Sequence, residues 1–449
     1  MLRSVRLVGP WFVLAHLVAL HFVLAWFDGP GAADASTEPA YLAELRRDTP
    51  AGDDAAAAEP TAEGDADEAP AEAEPPAPPI GRPGPLDPAR IYADGDLMRA
   101  DLDHGWTAEL TTQPALQEAA TRILNRGKVP FGAVVVIDVH SGDVLAMADR
   151  YDEQHPIAPA IDPAGPPHLA LRALAPAASI FKIVTSAALV EVGVGPKRKY
   201  PYNSSPRRVY EQTLARPGAG APECDMGDAL ADSNNGYFAR LADEKLERED
   251  LDLISRRFGF NQVVPFPLLT DASTAQVPRN RLERARMAAG FWHTRLTPLH
   301  AALIAAAVAG DGTLPVPRLV RRLEGPDGRV VDAPDRPPFA HAMKAETAKA
   351  VRQMMARTIT HGTGRKAFSK WPSRLAHVKV AGKTGTLAMR DPATTYTWFV
   401  GFAPADDPQI AIAVMVGNGE LWWQRAIDIA RDVLAAHFEH VAERTVATR

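Results

Sequence analysis

Two groups of strand-like segments, set far apart along the chain, restrict what it can become. The first is Phe131-Gly-Ala-Val-Val-Val-Ile-Asp-Val139, then the turn His140-Ser-Gly-Asp143, then Val144 to Ala148. An apolar run bounded by turn residues reads as a buried strand, and the short turn makes the pair an antiparallel hairpin. The second group lies near the C-terminus. It comprises Val378 to Thr386, Thr397 to Ala403 and Ile410 to Val416, and a helical pattern from Trp423 to Glu439 follows it. Between the groups, from about 176 to 366, the pattern is mostly helical with Pro- and Gly-rich breaks. Two strands from the start and three from the end suggest a single sheet that brings both ends of the domain together. The expected fold class is therefore α+β: a five-stranded antiparallel sheet flanked by helices, plus a mostly helical lobe, with a site between them. Ahead of the hairpin, Thr112 is expected to cap a helix that starts near Pro114 and ends at Gly127.

The N-terminal part obeys different rules. Leu7 to Phe27 carries no Asp, Glu, Lys or Arg, and as a helix this run matches the thickness of a bilayer core. Arg3 and Arg6 precede it, which places the N-terminus in the cytoplasm and the bulk of the chain outside. The run is longer than the apolar part of a cleaved signal peptide, so an uncleaved anchor is expected. Residues 29 to 86 are rich in Ala, Pro, Asp and Glu, with nine acidic and no basic residues from Ala51 to Pro79. Such a segment buries too little apolar surface to offset its ordering entropy and reads as an extended tether. Without those nine charges the net charge changes from -6 to +3, so nothing suggests a nucleic-acid groove. The lone cysteine, Cys224, excludes an internal disulfide and a multi-cysteine metal site, and is read as a buried, inert thiol.

Three short motifs carry the chemistry. Ser179-Ile-Phe-Lys182 opens a helix that is apolar almost all round, from Ile180 to Val190. Residues three apart share a helix face, so Ser179 and Lys182 can meet. A buried lysine is unfavourable unless it is paired or its pKa falls, and a neutral amine can take a proton from a serine hydroxyl. By itself the motif also fits a serine cap beside a lysine reaching solvent. Ser233-Asn234-Asn235 is a polar break between two helical stretches, which on its own fits a simple loop. Lys383-Thr384-Gly385-Thr386 lies in a strand-like run, where Gly382 and Gly385 mark a close approach by a ligand or another backbone. A phosphate-binding loop is excluded there because its first glycine would fall on His377. Gly362-Thr-Gly-Arg-Lys366 is too short a match.

The order Ser-x-x-Lys, Ser-x-Asn, Lys-Thr-Gly is the signature of penicillin-binding proteins and serine β-lactamases, and over residues 108 to 440 the chain resembles the penicillin-binding protein transpeptidase family. Gly132 to Asp138, Val144 to Ala148, Ala229 to Asn235 and Trp398 to Pro404 look like the family too. The expected organisation is a cytoplasmic N-terminus and anchor (1–28), a linker (29–86), a lead-in segment (87–107), the transpeptidase domain (108–440) and a tail (441–449). Neither a glycosyltransferase domain nor a large pedestal fits between 29 and 107. Asn234 differs from the Asp of class A β-lactamases, and Asn235 from the apolar residue expected in class D.

The resemblance implies roles. Ser179 is the nucleophile and Lys182 its base. Ser233 passes a proton towards the leaving nitrogen, and Asn235 binds the acyl side-chain amide. Lys383 holds positive charge beside Ser233, while Thr384, Gly385 and Thr386 form the cradle for a terminal carboxylate. The backbone N–H groups of Ser179 and Thr386 make the oxyanion hole. The implied substrates are peptidoglycan stem peptides ending in D-Ala-D-Ala, with β-lactams as covalent ligands and no metal or organic cofactor. The membrane and a separate glycosyltransferase are the expected partners, on the periplasmic side of the cytoplasmic membrane. A β-lactamase or a non-turnover penicillin sensor are the alternatives the motifs leave open.

Overall fold

The computed structural model describes residues 81–447, apart from 159–167, 206, 391–392 and 420–423. The expected membrane anchor and most of the expected linker lie outside the described residues. Among the described residues no helix is long and apolar enough to cross a membrane.

The main sheet is antiparallel throughout. Its order is Ala381–Arg390, Ala393–Ala403, Ile410–Asn418, Phe131–Asp138, Val144–Tyr151. Both ends of the domain meet in its middle, where Val414 faces Val134. Side chains alternate across this sheet. Ala133, Val135 and Ile137 join the core beneath the helical lobe, while Val134 and Val136 pack with the helices Pro114–Arg126 and Ala426–Ala447. Burial on both faces explains why these strands read as continuous apolar runs rather than as alternating ones. Behind the sheet runs the helix Pro298–Ala309, every residue of it buried.

Three expectations near the ends need correcting. The first helix does begin at Pro114, but its cap is Gln113, and Thr112 is buried instead. The closing helix begins at Ala426 and continues to Ala447, through most of what was expected to be a tail. No Gly or Pro stands between 440 and 447 to stop it. Residues 81–86, expected within the linker, lie against folded chain: the Gly81 carbonyl accepts from the Trp106 indole at 2.8 Å.

A second five-stranded sheet was not expected. It has the order Ile91–Asp94, Leu97–Asp101, Thr107–Leu110, Val320–Glu324, Val330–Asp332. The lead-in segment therefore shares a sheet with residues deep in the middle of the chain, and the boundary drawn at 107/108 cuts a strand. These strands are too short to show a period, and the two outer ones, Ile91–Asp94 and Val330–Asp332, are largely exposed. Part of their cohesion is ionic. Glu109 is buried, and Arg322 (2.6 Å) and Arg321 (3.5 Å) meet its carboxylate.

Candidate active site

The nucleophile segment is held by the sheet. The turn Ala178–Ile180 feeds directly into the buried helix Phe181–Glu191. Ala178 has φ +48°, a left-handed value that a side chain tolerates only when its surroundings impose it. The surroundings are specific. The Trp398 indole donates to the Pro176 carbonyl at 3.0 Å, and Trp398 is the strand partner of Gly385. A Cβ on Gly385 would sit 3.4 Å from both Ala178 Cβ and Ile180 Cγ1. The close approach signalled by this glycine is thus made by the turn that carries Ser179.

Lys182 is wholly buried, and its Nζ has three oxygen neighbours: Ser179 Oγ at 2.9 Å, Asn235 Oδ1 at 2.8 Å and the Ala289 carbonyl at 2.5 Å. The motifs Ser-x-x-Lys and Ser-x-Asn are therefore joined at this amine. Asn234 caps the helix Asn235–Lys245 by accepting from Tyr237 N at 3.0 Å, which puts Asn235 on its first turn. Ser233, half-buried, sits at φ +57° between that helix and Met226–Ala231. A Cβ on Gly236 would fall 2.1 Å from the Asn203 carbonyl, so the loop could not close with a larger residue there.

Electrostatics follow from burial. Desolvation holds the Lys182 ammonium well below its ordinary pKa, and the positive charge of Lys383 acts in the same direction. A neutral lysine has two N–H bonds and one lone pair. If Asn235 and Ala289 take the two N–H bonds, the lone pair faces Ser179, whose O–H then donates to it. That is the arrangement a general base needs. Lys383 is equally buried, and desolvation pushes it down to about 7 while Asp232 pulls it up.

The charge of Lys383 acts on Lys182, so the third motif lies near the other two. The Lys383 Nζ donates to the Thr384 carbonyl at 2.8 Å, and no hydrogen bond joins it to Ser233 among the described residues. Thr384 is half-buried and Thr386 exposed, on the strand that borders the nucleophile turn. Cys224 is half-buried rather than buried as expected, its thiol pushed up to about 12 by desolvation and then by Asp228, Asp225 and Asp232.

Sequence reasoning missed several contributors. Ala289 acts through its main chain, which leaves no side-chain signal. Thr363 shares a 2.7 Å hydrogen bond with Thr384, and its N–H donates to the Ala231 carbonyl at 3.0 Å. The loop thus bridges the Ser-x-Asn and Lys-Thr-Gly segments. Its signal is the Gly362-Thr-Gly364 cluster, whose glycines serve packing rather than phosphate binding. A Cβ on Gly362 would meet the Ala231 carbonyl at 2.3 Å.

The penicillin-binding protein transpeptidase domain model matches residues 132–436. The chain is 29% identical over 356 residues to the peptidoglycan D,D-transpeptidase PbpA of Mycolicibacterium smegmatis, covering 72% of this chain and 70% of that protein. It is 28% identical to the stage V sporulation protein D of Bacillus subtilis, over 70% of this chain and 50% of that one. Among solved structures, PBPA from Mycobacterium tuberculosis superposes with a TM-score of 0.63 at 26% identity, over 75% of this chain and 81% of that one. The same protein's imipenem acyl-enzyme complex also gives 0.63 at 26% identity, with coverages of 75% and 80%. A family match that spans most of the folded chain, from 132 to 436, establishes that this chain belongs to the penicillin-binding protein transpeptidase family.

Proposed function

We propose that this chain is a serine D,D-transpeptidase acting on peptidoglycan stem peptides. The observation that carries the reading is the wholly buried Lys182 amine, set between Ser179 Oγ and Asn235 Oδ1. A depressed amine in hydrogen-bond reach of an alcohol at the start of a helix is a nucleophile–base pair. Relatives named as peptidoglycan D,D-transpeptidases support the substrate class.

The chemistry runs as follows. Ser179 Oγ gives its proton to Lys182 and bonds to the carbonyl carbon of the penultimate D-alanine. The tetrahedral oxyanion forms against the backbone N–H groups of Ser179 and Thr386, where one donor contributes roughly 3–4 kcal/mol. Collapse breaks the C–N bond, and the departing D-alanine nitrogen takes a proton relayed through Ser233. An amine of a neighbouring stem then attacks the ester to give a cross-link, or water releases a shortened stem. Thr384 and Thr386 bind the terminal carboxylate, while Lys383 holds positive charge beside Ser233. The run Leu7–Phe27 anchors the chain in the cytoplasmic membrane with the domain outside, the segment 29–80 spans the distance to the wall, and a separate glycosyltransferase supplies the glycan.

The test is a time course with a fluorescent penicillin on the purified domain. A long-lived adduct on the wild type, absent in Ser179→Ala, supports the proposal. So does D-alanine release from a stem-peptide mimic, reduced on the order of 10⁴–10⁶-fold in Ser179→Ala. Label retained by Ser179→Ala refutes the nucleophile. Rapid loss of label with β-lactam hydrolysis indicates a β-lactamase instead, and a stable adduct without D-alanine release indicates a sensor.

A further inference from the structure

The carbonyl that meets Lys182 belongs to a turn outside the three motifs. The turn follows the short helix Arg281–Ala288 and runs from Ala289 to His293. It lies directly against the nucleophile. Gly290, at φ +82°, leaves so little space that a Cβ there would be 2.4 Å from the Ala178 carbonyl oxygen and 2.8 Å from Ser179 Cα. The Ala288 carbonyl accepts from Thr185 Oγ1 at 2.8 Å, one turn further along the nucleophile helix. On the far side, Thr294 Oγ1 accepts from Ala177 N at 3.3 Å, and Leu296 N donates to the Ala175 carbonyl at 3.0 Å.

The turn has its own clamp. The Glu283 carboxylate accepts from Trp292 Nε1 at 2.7 Å and from Arg286 at 2.5 Å, and meets His293 Nε2 at 2.8 Å. Arg286 also donates to the Val209 carbonyl at 2.9 Å and lies over the Trp292 ring. Trp292 is 42% exposed and His293 holds φ +75°, so neither residue is fixed by apolar burial or by an easy backbone state. Much of what holds the two side chains in place is one carboxylate.

We infer that Glu283 is a positioning residue for acylation: by tying Trp292 and His293 to the preceding helix it holds the Ala289 carbonyl at Lys182, so that the lysine lone pair faces Ser179. This rests on the proposed roles of Ser179 and Lys182. The mechanism is orientational. With the Ala289 acceptor in place, a neutral amine has its two N–H bonds directed at Asn235 and Ala289, and the lone pair has one direction left. When that acceptor drifts, the amine can rotate and donate to Ser179 instead, which places no base on the hydroxyl. A displacement of about 1 Å at a reacting group can cost about 10²-fold in rate.

The experiment measures the second-order rate of acylation by fluorescent penicillin across pH, on the full chain in detergent. Glu283→Ala is expected to acylate on the order of 10–100-fold more slowly. Its acid limb should also move to lower pH, because the ammonium form of Lys182 loses an acceptor. Glu283→Gln, which retains one acceptor oxygen, should recover part of the rate. Trp292→Phe leaves a smaller aromatic ring without the N–H, and should move rate and limb in the same direction by less. It also covers the case in which Glu283→Ala does not fold. A purely structural role would lower the labelled fraction and the melting temperature and leave the acid limb where it is, which would overturn the inference. So would wild-type rate and pH dependence in both Glu283→Ala and Trp292→Phe. A wild-type chain that takes no label at Ser179 fails at the earlier step and removes the proposed function itself.

Discussion

Replacing Gly290 by alanine tests the contact between the turn and the nucleophile with one methyl group. At φ +82° the alanine itself costs about 1–2 kcal/mol, because its Cβ crowds its own backbone. The larger effect is external. The new carbon would start 2.4 Å from the Ala178 carbonyl oxygen, against 3.4 Å for ordinary contact, so the two segments must separate by about 1 Å. The neighbours are backbone atoms of Ala178 and Ser179, which cannot swing aside as a side-chain tip would. They are also tied to the sheet, through Trp398 to Pro176 and through the packing of Gly385 on Ala178. The strain therefore falls on Ser179 or on the Ala289 carbonyl, and either displaces the Ser179–Lys182 pair. The expected result is about a 10²-fold slower acylation by fluorescent penicillin, on a chain that still melts cooperatively. Stopped-flow acylation on material checked by circular dichroism provides the measurement. A folded Gly290→Ala variant that acylates at the wild-type rate would show that this contact does not set the nucleophile's position.

Other expectations concern charge and the neighbouring loops. Lys383 is raised by Asp232 and lowered by burial to about 7, so its positive charge is present below that pH and lost above it. Acylation by a β-lactam carboxylate should weaken as pH rises through about 7, and Asp232→Asn should bring that decline to lower pH; a decline unmoved in Asp232→Asn contradicts the assignment. Thr363→Val removes the hydroxyl partner of Thr384 and should slow acylation about 5-fold, the equivalent of about 1 kcal/mol for one hydrogen bond. No change would mean that Thr384 needs no support to bind the carboxylate. Arg357→Ala breaks the contacts at 2.8 and 3.0 Å to Asp225 and Asp228 that secure the helix leading into Ser233. It should lower stability by about 1–2 kcal/mol in urea titration, and an unchanged midpoint would show those pairs to be surface decoration.

How much of this was legible before the structure depended on which forces spoke through side chains. The central sheet was readable because strands buried on both faces must be apolar at every position, as Val134, Val135 and Val136 are. Ser179, Lys182 and Asn235 were readable as a set: each motif alone fits a cap or a loop, and it is their order along the chain that resembles the family. The small sheet from Ile91 to Asp332 was not readable. Its strands are brief, and its pairing joins segments more than two hundred residues apart. The turn at Ala289 was invisible for a different reason: its contribution is a carbonyl, which every residue has. Thr363 stood between two glycines that did carry a signal, but of packing on Ala231 and not of phosphate binding.

The strand carrying Lys383 to Thr386 is the last in its sheet. One of its edges is paired with Ala393–Ala403 along its whole length, and no strand pairs with the other among the described residues. An extended guest of either polarity of side chain can lie along such an edge and be gripped through its own amides. Recognition of that kind tolerates variety in what the guest carries and is strict about its being a peptide.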